Sequence, residues 1–188
     1  MKIINILTDC AMLLGLTDDV QVLQNATEDK ENEILQENPK IANLLNLLQF
    51  SIRELCTNYI PMINRKTIKS LDKKYSIGEL ENYIRVLNIY KDGEAIKFKI
   101  VCRNILFQED GEYVINYSSY PTISSMFDDI DFLQKLSPDV IVFGLCSYFS
   151  LANGLFDEFE RFHDKYVSKA EALKCLRNFE IPSRRWEW

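Results

Sequence analysis

Apolar positions recur at helical spacing over three stretches of the chain. In the first, Ile3, Ile6, Leu7, Cys10, Leu13 and Leu14 form one stripe, and Gly15 stands where a left-handed residue closes a helix. Thr17-Asp18-Asp19 caps a short helix to about Gln24, and the polar, acidic run from Asn25 to Pro39 reads as a loop with a helical turn near Ile34. From Pro39 the spacing returns through Ile41, Leu44, Leu45, Leu48, Ile52, Leu55, Cys56 and Tyr59, until Pro61 ends it. The third stretch, Ser137 to Asn178, opens with Ser137-Pro138-Asp139 and carries Val140, Phe143, Phe149, Ala152, Phe156, Phe159, Phe162, Tyr166, Ala170 and Leu173. Its first half is apolar nearly all round and its second half amphipathic, with a bend or short break expected at Asn153-Gly154. We read it as the main core helix.

Between Pro61 and Pro121 the period shifts toward two. Tyr83 to Tyr90 and Ala95 to Val101 flank Asp92-Gly93, while Asn104 to Phe107 and Glu112 to Tyr117 flank Asp110-Gly111, which predicts two consecutive hairpins. A further strand is expected near Ile63 to Leu71. The order predicts an α+β fold: a helical bundle built on a long C-terminal helix, with an inserted small antiparallel β-sheet and an extended C-terminal tail. One domain is expected, helical over 1–60 and 122–178 with the β insertion at 61–121, followed by a docking tail at 179–188.

Composition narrows the class. With 47% hydrophobic and 27% charged residues the chain belongs with folded globular proteins, and its 188 residues suffice for one sizeable core. A net charge of -6 argues against a protein whose main task is gripping nucleic acid, because that affinity comes from cations neutralising phosphates. No segment reaches the roughly 18 uninterrupted apolar residues of a membrane span. The opening MKIINILTDCAMLLGL carries Asn5, Thr8 and Asp9 on one side, so it reads as an amphipathic helix rather than a signal peptide. The cysteines at 10, 56, 102, 146 and 175 are widely separated and odd in number, which points to reduced thiols rather than a metal or disulfide framework.

Candidate chemistry is sparse. His163 lies among Phe162, Asp164 and Tyr166 with no nucleophile specified beside it, and reads as a partly exposed helix histidine. Asp128, Asp129 and Asp131 lack the glycine and terminal glutamate of a calcium loop and suit turn and capping roles. Gly144-Leu-Cys-Ser147 lacks the second glycine of a nucleophile elbow and sits inside a helix. Neither a catalytic site, a metal nor a cofactor is expected. The C-terminus stands apart: Ile181, Pro182, Arg184, Arg185, Trp186 and Trp188 combine a helix-stopping proline with the two residue types most enriched at binding hot spots, and suggest a partner-docking tail.

The order of these features resembles the phage head-tail connector proteins, the portal adaptors of tailed viruses of the podovirus and tubular-tail kind. The likeness lies in the short helix ending at Gly15-Leu16, the long helix ending at Tyr59-Ile-Pro61, and the β insertion closing with Val114-Ile-Asn-Tyr-Ser-Ser-Tyr-Pro121. It continues in Asp128-Asp129 and in a final helix with Phe143-Gly-Leu-Cys-Ser-Tyr148 and Gly154-Leu-Phe-Asp-Glu158. The resemblance implies a structural virion protein and no enzyme: a dodecameric ring of copies at the head-tail junction, made in the host cytoplasm before assembly. It implies the portal protein and tail proteins as partners, DNA passing through without specific binding, and a portal-docking role for the C-terminal residues named above. The alternative is a host regulatory or scaffolding module that binds one protein through the same Trp/Arg tail.

Overall fold

The computed structural model describes residues 1–130 and 136–177. Among them the fold is mixed α/β, with six α-helices and two antiparallel sheets. The chain forms two compact units, one from Met1–Ile60 together with the chain from Ile123 on, the other from Pro61–Thr122.

The helical unit starts with α1 (Ile3–Leu13) and α2 (Thr17–Gln24), continues through a 3-10 turn at Glu28–Lys30 and α3 (Glu31–Glu37), and reaches α4 (Pro39–Asn58). The acidic run expected as a loop is thus largely helical. Glu31 shows why it is ordered: its carboxylate accepts from Ser125 Oγ at 2.6 Å and from the Met126 amide at 2.7 Å. Gly15, at φ +69°, closes α1, with Leu16 N donating to Ala11 O and Gly15 N to Met12 O.

The expected helical bundle on one long C-terminal helix is not what forms. The stretch is two helices, α5 (Pro138–Ala152) and α6 (Phe156–Arg177), folded back on each other. Asp139 meets Lys169, Phe143 faces Phe162 and Ser147 faces His163, which fixes an antiparallel pair. The cause lies at Gly154, whose φ of +71° is left-handed. Leu155 N donates to Ser150 O at 2.9 Å and Gly154 N to Leu151 O at 3.2 Å, the double closure that ends a helix outright instead of bending it. At the other end Pro138 opens α5 as expected, but the Ser137 hydroxyl makes no capping bond.

The β unit also differs from expectation, holding two sheets where one was predicted. Strands β1 (Met62–Ser70), β2 (Lys74–Ser76), β3 (Tyr83–Lys91), β4 (Glu94–Ile96), β5 (Lys99–Val101), β6 (Asn104–Leu106) and β7 (Gly111–Ser119) sort into a sheet ordered β1-β7-β3-β4 and one ordered β2-β6-β5. Their shared core includes Ile68, Ile89, Ile105, Phe107, Tyr113 and Ile115. Asp92-Gly93 does turn a hairpin between β3 and β4. Asp110-Gly111 does not: Asp110 Oδ1 accepts from the Lys73 amide at 2.6 Å, and the strand that follows pairs with β1 and β3. The second hairpin joins β5 to β6 through Cys102 and Arg103, both left-handed at φ +47° and +62°.

Left-handed backbone costs a non-glycine residue roughly 1–2 kcal/mol. Glycine at such a site gives back about 0.4–1 kcal/mol through the freer unfolded chain. The pair Cys102→Asn with Arg103→Gly is therefore expected to stabilise the β unit by about 0.5–1 kcal/mol, seen as a higher denaturant midpoint with unchanged slope. An unchanged or lower midpoint would show that the native side chains contribute more at this turn than their backbone costs.

Candidate functional site

Helix α5 is the most enclosed of the helical unit, and three small residues on it, Gly144, Ser147 and Ser150, admit close neighbours. A β-carbon on Gly144 would stand 2.5 Å from Ser51 Oγ of α4 and 3.1 Å from the Tyr166 ring of α6. Bringing α4 and α6 this near assembles a polar seam that runs from the core to its half-buried edge. Glu54 of α4 accepts a hydrogen bond from Tyr148 Oη at 2.9 Å. Tyr166 lies edge-on to Tyr59 with ring centroids 6.0 Å apart. Its hydroxyl and that of Ser150 are buried without a hydrogen-bond partner.

Three phenols of this seam are held in their neutral form. Burial, reinforced by the Glu54 carboxylate, pushes Tyr148 up to about 12. The same two causes, burial first, raise Tyr166 and Tyr59 above the usual phenol range. Glu54 acts on Tyr166 chiefly through its charge, while the hydrogen bond it accepts within bonding distance comes from Tyr148. An acid whose folded pKa is raised lends stability that is complete below its unfolded pKa, near 10, and is lost as pH climbs toward the folded value. The denaturant midpoint is thus expected to fall between about pH 10 and 12, following the unfolded phenol and the Tyr148 value. Glu54→Gln should move the Tyr148 phenolate titration downward while leaving the part due to burial. A titration indifferent to that change would remove Glu54 from the account.

His163 sits at the edge of this seam, where its Nδ1 is 3.5 Å from Ser147 Oγ, the limit of a hydrogen bond. Its ring stacks on Phe159 with centroids 5.1 Å apart and tilts against Tyr166. A nucleophilic pair needs a close bond and a third group that orients the base. Here the ring is positioned by aromatic packing, so it works as a part of the α5–α6 contact. Asp128 has a turn role: its carboxylate accepts from the Ser124 and Ser125 amides at 2.7 and 2.9 Å, and its carbonyl accepts from Ile3 N. Asp131 and the tail residues Ile181, Pro182, Arg184, Arg185, Trp186 and Trp188 lie outside the described residues. Among the described residues no three His, Cys, Asp or Glu side chains converge as a metal site would require, and no helix is long and apolar enough to cross a membrane.

Two surfaces escaped the sequence reading. At the α5–α6 turn Leu151, Leu155 and Phe156 are 44%, 43% and 64% exposed, followed directly by Asp157 and Glu158. In the β unit a cleft of about 770 Å³ is lined by Ile96, Phe98, Leu106 and Phe107 together with Lys97 and Lys99. Lys74 and Lys99 flank Leu106 on the adjoining strands. None of these three lysines enters an ion pair among the described residues. The units differ in sign as well: the β unit has ten Lys and Arg against eight Asp and Glu, the rest of the chain twelve against twenty. The small residues at 144, 147 and 150 were a readable hint of the seam. The cleft had none, because its walls come from strands assigned to the wrong hairpin. No protein-family model matches this chain, and no characterised protein matches its sequence.

Proposed function

We propose that the chain is a structural protein that works by self-assembly: a head-tail connector of the portal-adaptor kind, whose ring of copies joins portal to tail in a virion and lets DNA pass. The observation that carries the reading is the pairing of two unlike, complementary surfaces on one chain. The α5–α6 turn offers exposed apolar side chains beside two carboxylates, and the β-unit cleft offers apolar side chains together with lysines that enter no ion pair among the described residues. The occupant we assign to the cleft is the α5–α6 turn of a second copy. Contact between two different patches of identical chains is heterologous, and it closes into a ring when the rotation allows. The acidic excess outside the β unit also suits a passage that must not hold DNA, since exposed carboxylates repel phosphate.

The test is retention by the portal protein of the same particle, with ring formation followed by electron microscopy, for the full chain, a chain ending at Asn178, and Phe156→Asp. The full chain is expected to be retained and to form rings. The shortened chain should lose the portal if the Trp/Arg tail docks it, and Phe156→Asp should remain folded but fail to close rings. If the full chain is not retained at low and at moderate salt, the connector reading falls, and the regulatory module that binds one cellular protein takes its place.

A further inference from the structure

Cys10 on α1 and Cys146 on α5 are 136 residues apart in sequence, yet their Sγ atoms stand 3.2 Å apart. Both side chains are completely buried. A bonded pair needs a separation of about 2.05 Å, so a shift of roughly 1 Å between two packed helices would suffice. We propose that Cys10 and Cys146 form a latent disulfide site, at which a peroxide-class oxidant couples α1 covalently to α5.

The step balances without a further reagent. One sulfur, as thiolate, attacks the peroxide oxygen and becomes a sulfenic acid, and the departing hydroxide takes up a proton to leave as water. The second sulfur gives up its proton, attacks the sulfenic sulfur and displaces the hydroxyl, which leaves as a second water. Each sulfur is oxidised by one electron, and each peroxide oxygen is reduced by one.

Burial sets the rate. It raises the Cys10 thiol, helped by the neighbouring Cys146, and both sulfurs are closed off from an oxidant in the folded unit. Oxidation therefore follows local opening of α1 from α5, and reclosure brings the activated sulfur back to its partner. The bond would span the whole insertion between the two helices, and a loop of that length strongly restricts the unfolded chain.

The experiment treats a Cys102→Ser, Cys175→Ser chain with hydrogen peroxide and maps the products by mass spectrometry without reduction. The expected result is a Cys10–Cys146 linked peptide, loss of two hydrogen masses from the intact chain, and a melting midpoint higher by roughly 5 °C or more that returns on adding a dithiol. Cys10→Ser and Cys146→Ser should each abolish the link. Retention of every thiol, or a link through Cys56 instead, would overturn the proposal. Should the double variant fail to fold, the wild-type chain serves, with its exposed Cys102 alkylated in the native state before oxidation and the same linked peptide as the readout.

Discussion

Tyr166→Ala is expected to cost the helical unit about 3–5 kcal/mol, the range for removing a large buried aromatic. Tyr166→Phe, by contrast, should leave stability unchanged or raise it by about 1 kcal/mol. The two outcomes separate the ring from the hydroxyl. The ring is 1% exposed, fills the space left by Gly144 and packs on Tyr59 and His163, so nothing nearby can collapse into its volume. The hydroxyl is buried and has no hydrogen-bond partner, and such a group costs roughly 1–3 kcal/mol relative to its hydrated state. Chemical denaturation followed by helical circular dichroism would read both. A loss of more than about 1 kcal/mol in Tyr166→Phe would mean that the hydroxyl is satisfied after all, for instance by a buried water.

Ile115→Ala should be nearly as severe, at about 2–5 kcal/mol, but felt in the β unit. Ile115 is fully buried in the middle of β7, with Lys66 of β1 on one side and Ile89 of β3 on the other. It touches a core built wholly from this unit, including Ile68, Ile105 and Tyr113. Amide exchange separates this from a general loss of stability. Exchange along β7 should accelerate at least about 30-fold, while amides of α5 keep their rates. Equal acceleration in both would show that the two units open as one.

Much of this fold follows from local pattern. The period through Ile41 to Cys56 and the proline at its start place α4 within a residue or two, because a buried stripe and a helix-starting proline act over one or two turns. The middle of the third stripe was misread for a related reason: the apolar spacing runs on through Ala152 and Phe156, yet these are exposed at a reversal. Spacing records what could face a core, and the sign of φ at Gly154, which decides the matter, leaves no trace in it. The two Asp-Gly pairs make the same point. One turns a hairpin, while the other is claimed by the Lys73 amide, a neighbour set by tertiary pairing. Cys102 and Arg103 turn a hairpin with no glycine at all.

The site divides along the same line. His163 is half-buried on α6, as expected of a partly exposed helix histidine, but its stacking on Phe159 was not part of that expectation. Glu54 gave no signal, since its meaning depends on Tyr148 standing beside it, and those residues are 94 positions apart. The Cys10–Cys146 approach was hidden likewise, each thiol looking like an ordinary small apolar residue on its own helix.

Strands β1 and β7 bear on the order of folding. They are the first and last of the β unit and lie side by side, with Met62 opposite Ser119. Helix α4 must find α5 across about 80 residues of chain, and closing so long a loop carries an entropic cost that grows with its logarithm. If β1 and β7 pair first, the ends of the insertion are already neighbours, and the chain left to close shrinks to about 20 residues, most of them between Ser119 and Pro138. The gain is about 1 kcal/mol on the logarithmic relation, several-fold in the chance of a productive α4–α5 encounter. The β unit would then act as a folding clamp, with variants in β7 slowing helix docking and variants in α5 leaving β-sheet formation at its own pace.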